Sequence, residues 1–580
     1  MYKEYKQLNL PEIGKEVLRR WGAEDIFAKS ISNRPASKPY TFYEGPPSAN
    51  GMPGIHHVMA RTIKDIFCRY KTLKGYQVKR KGGWDTHGLP IELAVEKSLG
   101  ITKEDIGTKI SVEDYNNACR KEVMKYTDVW NDLTEKMGYW VDLENPYITY
   151  QNEYIETLWF LLKDLYKKGL LYKGYTIQPY SPAAGTGLSS HELNQPGTYK
   201  DVKDTTIVAE FRVDKSQVHP LINTLVESAD EDVAFIAWTT TPWTLPSNSG
   251  LAVGPKIEYV KIKTFNQYTG SPVSVVLAKN LISKHFKAEG QNASFQDYKV
   301  GDKIVPWEQV AEFTGVELVG LRYHQLLPYI TSEELLEKAF RVIPGDFVTT
   351  EDGTGIVHIA PTYGADDFRV AKEAGVPAIL VKDENGKEGP TVDRTGRFVN
   401  EVSDFAGRFV KEEYYSEEER ADKDFRPTDV LIAIKLKEDN KAFDVKKYEH
   451  TYPHCWRTDK PVLYYPLDSW FIKTTAVKEK LVELNKTINW KPEATGSGRF
   501  GNWLENLVDW NLSRSRYWGT PLPIWRTEDE NEEICIGSMI ELKQYLEASL
   551  QSDVLTLDEK SVNKEYLDKF GSEKLDLHRP

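Results

Sequence analysis

The 580-residue chain reads as an α/β protein in which a strand–loop–helix body is interrupted by a strand-rich insert. Three observations carry that reading. An extended run at 40–43 passes through a glycine- and proline-rich loop into a stretch where Met59, Ile63, Ile66, Phe67 and Tyr70 recur at helical spacing. Two later stretches, 112–137 and 155–165, carry apolar stripes at spacings of three and four. After Tyr199 the texture changes to short alternating runs, such as 206–213 and 233–238, and the body resumes near 448–456.

The loop and helix at 45–66 read GPPSANGMPGIHHVMARTIKDI, which puts His56 and His57 on the first turn of a helix closed by Lys74 and Gly75. A helix start offers unpaired N–H groups and the positive end of the dipole, so a histidine there can serve an anion such as a phosphate. The same pair can equally be a plain helix cap, and the residues alone leave both readings open. A strand at 77–80 then leads into KGGWDTHGLPIE at 81–92. The stretch 112–137, with Cys119, Val123, Tyr126, Trp130, Leu133 and Met137, reads as one long buried-face helix closed by Gly138. Ile155, Leu158, Trp159, Leu162 and Leu165 repeat the pattern before Gly169. Both stripes are core and carry no chemistry.

At ~150 residues per domain this length suggests about four domain-sized units. A hydrophobic fraction of 40% and a charged fraction of 28% are ordinary for a soluble protein, and no apolar run or signal core speaks for a membrane or secretion, so a cytoplasmic protein is expected. The net charge of −12 argues against indiscriminate nucleic-acid binding and leaves room only for a local basic groove, with 71–81 as one candidate. The four cysteines, Cys68, Cys119, Cys455 and Cys535, form no CxxC pair and imply no disulfide framework. No GxGxxG follows a strand with an acidic residue about 20 positions on, which excludes a dinucleotide-binding oxidoreductase.

The two segments at 45–66 and 81–92 together resemble the class I aminoacyl-tRNA synthetases, and GWDTHGLPIE is similar to the isoleucine enzymes. The resemblance covers essentially the whole chain. It implies a Rossmann-type nucleotide-binding catalytic domain at 1–198 and 446–580, interrupted by a strand-rich editing domain at 199–445. ATP with Mg2+, isoleucine and tRNA(Ile) would be its substrates, and a monomer is expected. Two segments within the insert, WTTTPWTLPSNSG at 238–250 and DGTGIVHIAPTYGADDF at 352–368, are similar to that editing domain. Such a domain answers a physical need, since isoleucine and valine differ by one methylene worth only ~1–3 kcal/mol in an apolar pocket, a limit for which the isoleucine enzymes are the standard example.

Site roles follow from the resemblance, position by position. His57 and His56 would be catalytic, with His57 and Asn50 facing ATP and Gly45 and Gly54 forming the loop. The family pattern is His-x-Gly-His, whereas this chain reads Gly54-Ile55-His56-His57, so a histidine and a glycine have exchanged places. On a helix His56 stands roughly 200° from position 54 and could not replace the missing histidine without a backbone change, so either the loop shifts or adenine packs differently. Asp85 would hold the amino group of isoleucine, Pro46 and Trp518 would wall its side chain, and His87 belongs to the same substrate-binding set. In the insert, Thr239, Thr240, Thr241 and Asn248 would position the acyl end and a hydrolytic water, Asp367 would hold the ammonium, and His358 would line the pocket. No zinc is expected, because the stretches Ser181-Pro182-Ala183-Ala184-Gly185 and Cys455-Trp456-Arg457-Thr458 keep no ligand pair. No KMSKS loop or anticodon-binding domain is found, which reads as a fragment able to edit but poor at activation. The alternative is a stand-alone deacylase of misacylated tRNA acting in trans.

Overall fold

The computed structural model describes residues 4, 7–45, 47–291, 293–382, 386, 388–527 and 529–578. The chain is a mixed α/β protein of two compact units. One comprises Met1–Tyr172, Phe471–Trp510 and Arg516–Pro580, the other Lys173–Trp470 and Asn511–Ser515.

In the first unit β1 (Pro39–Tyr43), β2 (Gln77–Trp84) and β3 (Asp142–Ile148) lie side by side in that order as a parallel sheet. Parallel neighbours cannot be joined by a tight turn, so helices fill the connections. α1 (Ile55–Leu73) links β1 to β2, and α2 (Leu89–Leu99), α3 (Val112–Val123) and α4 (Thr127–Lys136) lie between β2 and β3. β2 extends past the expected 77–80 to Trp84, helped by Gly83, where a Cβ would stand 2.3 Å from the Tyr147 ring on β3.

The stretch 112–137 is two helices, not the single one its periodicity suggests. Tyr126 turns its N–H away from the helical ladder to the Ala49 carbonyl at 3.1 Å, and the Thr127 hydroxyl takes up the Met124 carbonyl at 2.8 Å. Burial survives the break, since Cys119, Val123 and Trp130 all remain in the interior. On α1 the period marks the helix but not its buried side. Met59, Ile63, Ile66, Phe67 and Tyr70 are exposed, whereas Arg61, Cys68 and Thr72 are buried.

α5 (Asn152–Lys167) packs Ile155 and Trp159 against Ile536, Leu542 and Leu577. The charged tail beyond 536 is therefore folded, with helices at Met539–Leu550 and Leu557–Leu567. The Asn152 amide pins its end, donating to the Leu575 carbonyl at 2.8 Å and accepting the Leu577 N–H at 3.1 Å.

The second unit is built around β4 (Tyr199–Arg212), β5 (Val233–Thr239), β6 (Gly250–Val253), β7 (Glu258–Phe265), β8 (Pro272–Ala278), β9 (Glu308–Thr314), β10 (Arg341–Pro344), β11 (Ile356–Ile359) and β12 (Ala442–Pro453). Six of them form one sheet in the order β9-β7-β8-β5-β4-β12, and β10-β6-β11 form another. Alternation along β5 sends Val233, Phe235 and Ala237 to one core and Ala234 and Ile236 to another, so this central strand is apolar up to its last residue, Thr239. α6 (Ala365–Ala374) follows β11 and is stopped by Gly375 at φ +66°. Strands at Leu171–Ser181 and Leu463–Ile472 extend the compact unit beyond 199–445. No helix among the described residues is long and apolar enough to cross a membrane.

Candidate functional site

Open α/β sheets bind ligands outside the carboxyl ends of their strands, and the first candidate site lies there. The loops after β1 and β2 run together. Glu44 N–H donates to the Lys81 carbonyl at 2.9 Å, Asp85 N–H donates to the Pro47 carbonyl at 3.1 Å, and Ser48 bridges to Asp85. Gly45 and Asn50 thus belong to the loop that meets Asp85, and the Ser48 hydroxyl donates to Asn50 Oδ1 at 2.7 Å. Pro46 lies outside the described residues.

Gly54 caps α1 from extended backbone, so it stands before the helix and the helical angle between positions 54 and 56 does not apply. The His56 ring folds back over it. A Cβ on Gly54 would meet His56 Cε1 at 2.8 Å and Nδ1 at 2.9 Å. The imidazole therefore fills the space a side chain at 54 would take, although the residue order is exchanged. His57 Nδ1 accepts the Gly54 N–H at 2.9 Å, which leaves the ring proton on Nε2. Burial first, then the neighbouring His56 and Arg61, hold His57 below the ordinary histidine range, so it is a neutral donor. Trp130 packs edge-on against His57 at 4.7 Å and donates its Nε1–H to the Gly51 carbonyl at 2.8 Å.

Asp85 is exposed at the loop edge, yet enough protein surrounds its carboxyl to raise it above the usual value, with the His87 N–H opposing. Trp518 is buried. Its Nε1–H donates to the Thr86 carbonyl at 2.6 Å, its N–H to Glu92 Oε1 at 2.9 Å, and its carbonyl accepts Gly88 N–H at 3.3 Å. Glu92, itself buried, also takes the Tyr517 N–H at 2.9 Å and the Arg516 Nε–H at 2.8 Å. The indole expected to wall an amino-acid side chain carries His578 flat on it, centroids 4.4 Å apart and planes 4° apart. His578 Nε2 meets His87 Nε2 at 2.8 Å, and burial, then His578, push His87 down to about 3.

The second candidate site is a cavity of about 380 Å³ in the other unit. β5 ends at Thr239 and Pro242 opens a short 3-10 helix, so the threonines turn along the cavity rather than continuing a strand. Thr239, Thr240 and Thr241 line it together with Thr244, Phe347, His358, Tyr363 and Asp367. Asp367 sits on the first turn of α6 with Oδ2 accepting the Ala360 N–H at 2.8 Å. Burial, the dominant cause, pushes its carboxyl up to about 6, and no cation offsets it among the described residues. Its neighbour Asp366 is exposed and pairs with Arg369 at 3.3 Å, so the adjacent carboxylates divide between solvent and cavity. His358 is pushed down to about 4 by burial, and both ring nitrogens are engaged, by Thr244 Oγ1 at 2.9 Å and Asn248 Nδ2 at 3.4 Å. A neutral ring so held is a wall and not a base. Asn248 is buried behind that wall and does not line the cavity.

Residues 16–579 match the family model described as tRNA synthetases class I (I, L, M and V). The chain belongs to that family. The isoleucine--tRNA ligase of Cytophaga hutchinsonii is 63% identical over 97% of this chain and 50% of its own length. That of Bacteroides thetaiotaomicron is 58% identical over 100% of the chain and 52% of its own length, and that of Porphyromonas gingivalis 56% over 100% and 51%. This class I synthetase chain thus spans about half the length of the curated relatives it matches.

Several residues at the two sites of this synthetase chain escape a reading of the sequence. Glu92 closes the segment at 81–92 and could have been found there, since a carboxylate in an apolar helix start needs a partner. Thr244 follows the threonine run at a one-turn spacing. His578 and Trp130 carry no local signal, because only the fold brings them to Trp518 and His57. Among the described residues no group of three or more His, Cys, Asp or Glu side chains gathers as a metal would require, and Ser181, Ala184 and Cys455 are buried.

Proposed function

We propose that the chain supplies an isoleucine-activating half-site and a hydrolytic proofreading pocket for tRNA(Ile) misacylated with valine. The observation that carries the reading is the cavity in the second unit. Thr239, Thr240, Thr241, His358 and Asp367, distant in sequence, line one space whose buried carboxylate lacks a cation. A carboxylate raised by burial is a receptor for an ammonium, which would return it to the ionised state. The wrong aminoacyl group would place its α-ammonium on Asp367 and its side chain toward His358, a wall that leaves no room for the larger isoleucine. Hydrolysis would proceed by attack of a water positioned by threonine hydroxyls on the ester carbonyl, with the terminal ribose oxygen leaving and taking the proton. His358, neutral and engaged at both nitrogens, would not act as base.

In the Rossmann-type body, the isoleucine carboxylate would attack the α-phosphorus of ATP, releasing pyrophosphate. The tRNA hydroxyl would then displace AMP from the adenylate. Mg2+ would arrive on the triphosphate as part of the substrate. His57 would offer its Nε2–H to phosphate oxygens, held in that tautomer by the Gly54 N–H. Asp85 would take the ammonium of isoleucine. The similarity to isoleucine--tRNA ligases supports this amino acid, and the monomeric state is carried by the resemblance alone.

The test is deacylation by this chain of valyl-tRNA(Ile) against isoleucyl-tRNA(Ile). Valyl-tRNA is expected to be hydrolysed much faster, and equal rates would refute the pocket's role.

A further inference from the structure

The bonds behind His358 form one chain into the core of the second unit. Tyr323 is buried and donates its hydroxyl to Asn248 Oδ1 at 2.7 Å. The Asn248 side-chain N–H2 donates to the Gly250 carbonyl at 2.9 Å and reaches His358 Nδ1 at 3.4 Å. Turning the amide over would set its oxygen against the Gly250 carbonyl, so both ends of the amide are committed. His358 Nδ1 is then an acceptor and the ring proton stays on Nε2. Nε2–H donates to Thr244 Oγ1 at 2.9 Å, and the Thr244 hydroxyl gives its own proton to the Thr241 carbonyl at 2.8 Å.

We propose that Tyr323 is a positioning residue of this cavity, acting through Asn248 to hold His358 as the neutral Nε2–H tautomer and so to aim the Thr244 hydroxyl at the Thr241 carbonyl. The inference rests on the cavity being a hydrolytic site for aminoacyl-tRNA. With the opposite tautomer, Nε2 would need a donor. The Thr244 hydroxyl would turn to it, and the Thr241 carbonyl, in the run that lines the cavity, would lose one of its two partners and keep only the Thr244 N–H at 3.0 Å. Tyr323 itself has no place in the cavity lining. Tyr323→Phe removes only the hydroxyl and keeps the ring among its neighbours Phe211 and Phe340.

The intact chain labelled with 15N-histidine tests this, with the His358 signals identified by their loss in His358→Gln and the tautomer read from long-range 15N–1H couplings. Wild type is expected to show Nε2–H. Tyr323→Phe leaves the Gly250 carbonyl as the one remaining anchor of the amide, and is expected to give a mixture of tautomers and to hydrolyse valyl-tRNA(Ile) with kcat roughly fivefold lower at unchanged KM, as one lost hydrogen bond implies. Asn248→Ala should give the same mixture, which guards against a folding defect in the first variant. Wild type carrying Nδ1–H overturns the proposal. So does a Tyr323→Phe chain that keeps Nε2–H and parental kcat. Tautomers that shift as expected in a chain without any deacylation would uphold the relay and refute the hydrolytic reading instead.

Discussion

The His56 imidazole lies over Gly54, with Cε1 and Nδ1 2.8 and 2.9 Å from where a Cβ on that glycine would stand. An exchange of two residues in the motif has thus moved an imidazole along the chain without moving it far in space. Gly54 makes this possible by standing outside the helix and carrying no side chain. His57 makes its own bond to the Gly54 N–H at 2.9 Å.

Restoring the family order with Gly54→His and His56→Gly together should therefore leave ATP affinity within about twofold of the parent. His56→Gly alone should weaken it by roughly tenfold, the effect of losing a hydrogen bond to a charged group. Equilibrium binding of ATP to both variants decides it. Weakening in both would show that the ring at 56 does not do the work of one at 54.

Asp367 must be ionised to hold an ammonium, so kcat/KM for valyl-tRNA deacylation should rise with pH through about 6. Asp367→Ala should lower that kcat/KM by ~2–3 kcal/mol, about 30- to 160-fold. A pH profile flat between 5 and 7, taken as roughly one unit on either side of the shifted group, would count against the assignment.

The same group sets a stability signature. Its folded value lies above the ordinary 3.8, so the folded chain holds the proton more tightly. Its contribution is full below 3.8 and is lost as pH rises toward about 6. Asp367→Asn should then raise the melting temperature at neutral pH and leave it unchanged in strong acid. Thermal melts at both pH values read this directly.

His358→Ala would open the wall of the cavity. Isoleucyl-tRNA(Ile), poorly hydrolysed by the parent, should be deacylated at least about tenfold faster relative to valyl-tRNA(Ile), since both substrates lose the contact of His358 with Thr244 alike and only the larger one gains room. The parent profile should show no ionisation near 6.5 from this residue, which burial holds at about 4.

Glu92 holds the backbone of Tyr517 and Trp518 and the Arg516 guanidinium in a buried setting. Glu92→Ala leaves the guanidinium to Glu96 alone and removes the acceptor of the Tyr517 and Trp518 N–H groups, and should destabilise the first unit by about 2–3 kcal/mol. Chemical denaturation followed by tryptophan fluorescence measures the loss.

Local chemistry was legible in the sequence. Glycine and proline marked the loop at 45–54, the period marked α1, and the alternation at 233–238 marked β5. The threonine run and Asp367 were assigned to one pocket by the family resemblance and not by their local chemistry, and they do line one cavity. The break at Tyr126 was not legible, because the Ala49 carbonyl that takes its N–H lies far away in sequence. Nor was the exposed side of α1, since a helical period tells which residues share a face but not what covers it.

The sequence by itself determined the family, the chemistry of the side chains and the places where backbone must turn, all of which depend on neighbours along the chain. Tertiary structure alone decided that His56 reaches back over Gly54, that His578 lies on Trp518, and that Asn248 stands behind His358. These are contacts between side chains whose meeting depends on how distant segments pack, and burial in that packing raises Asp367 and keeps His358 neutral.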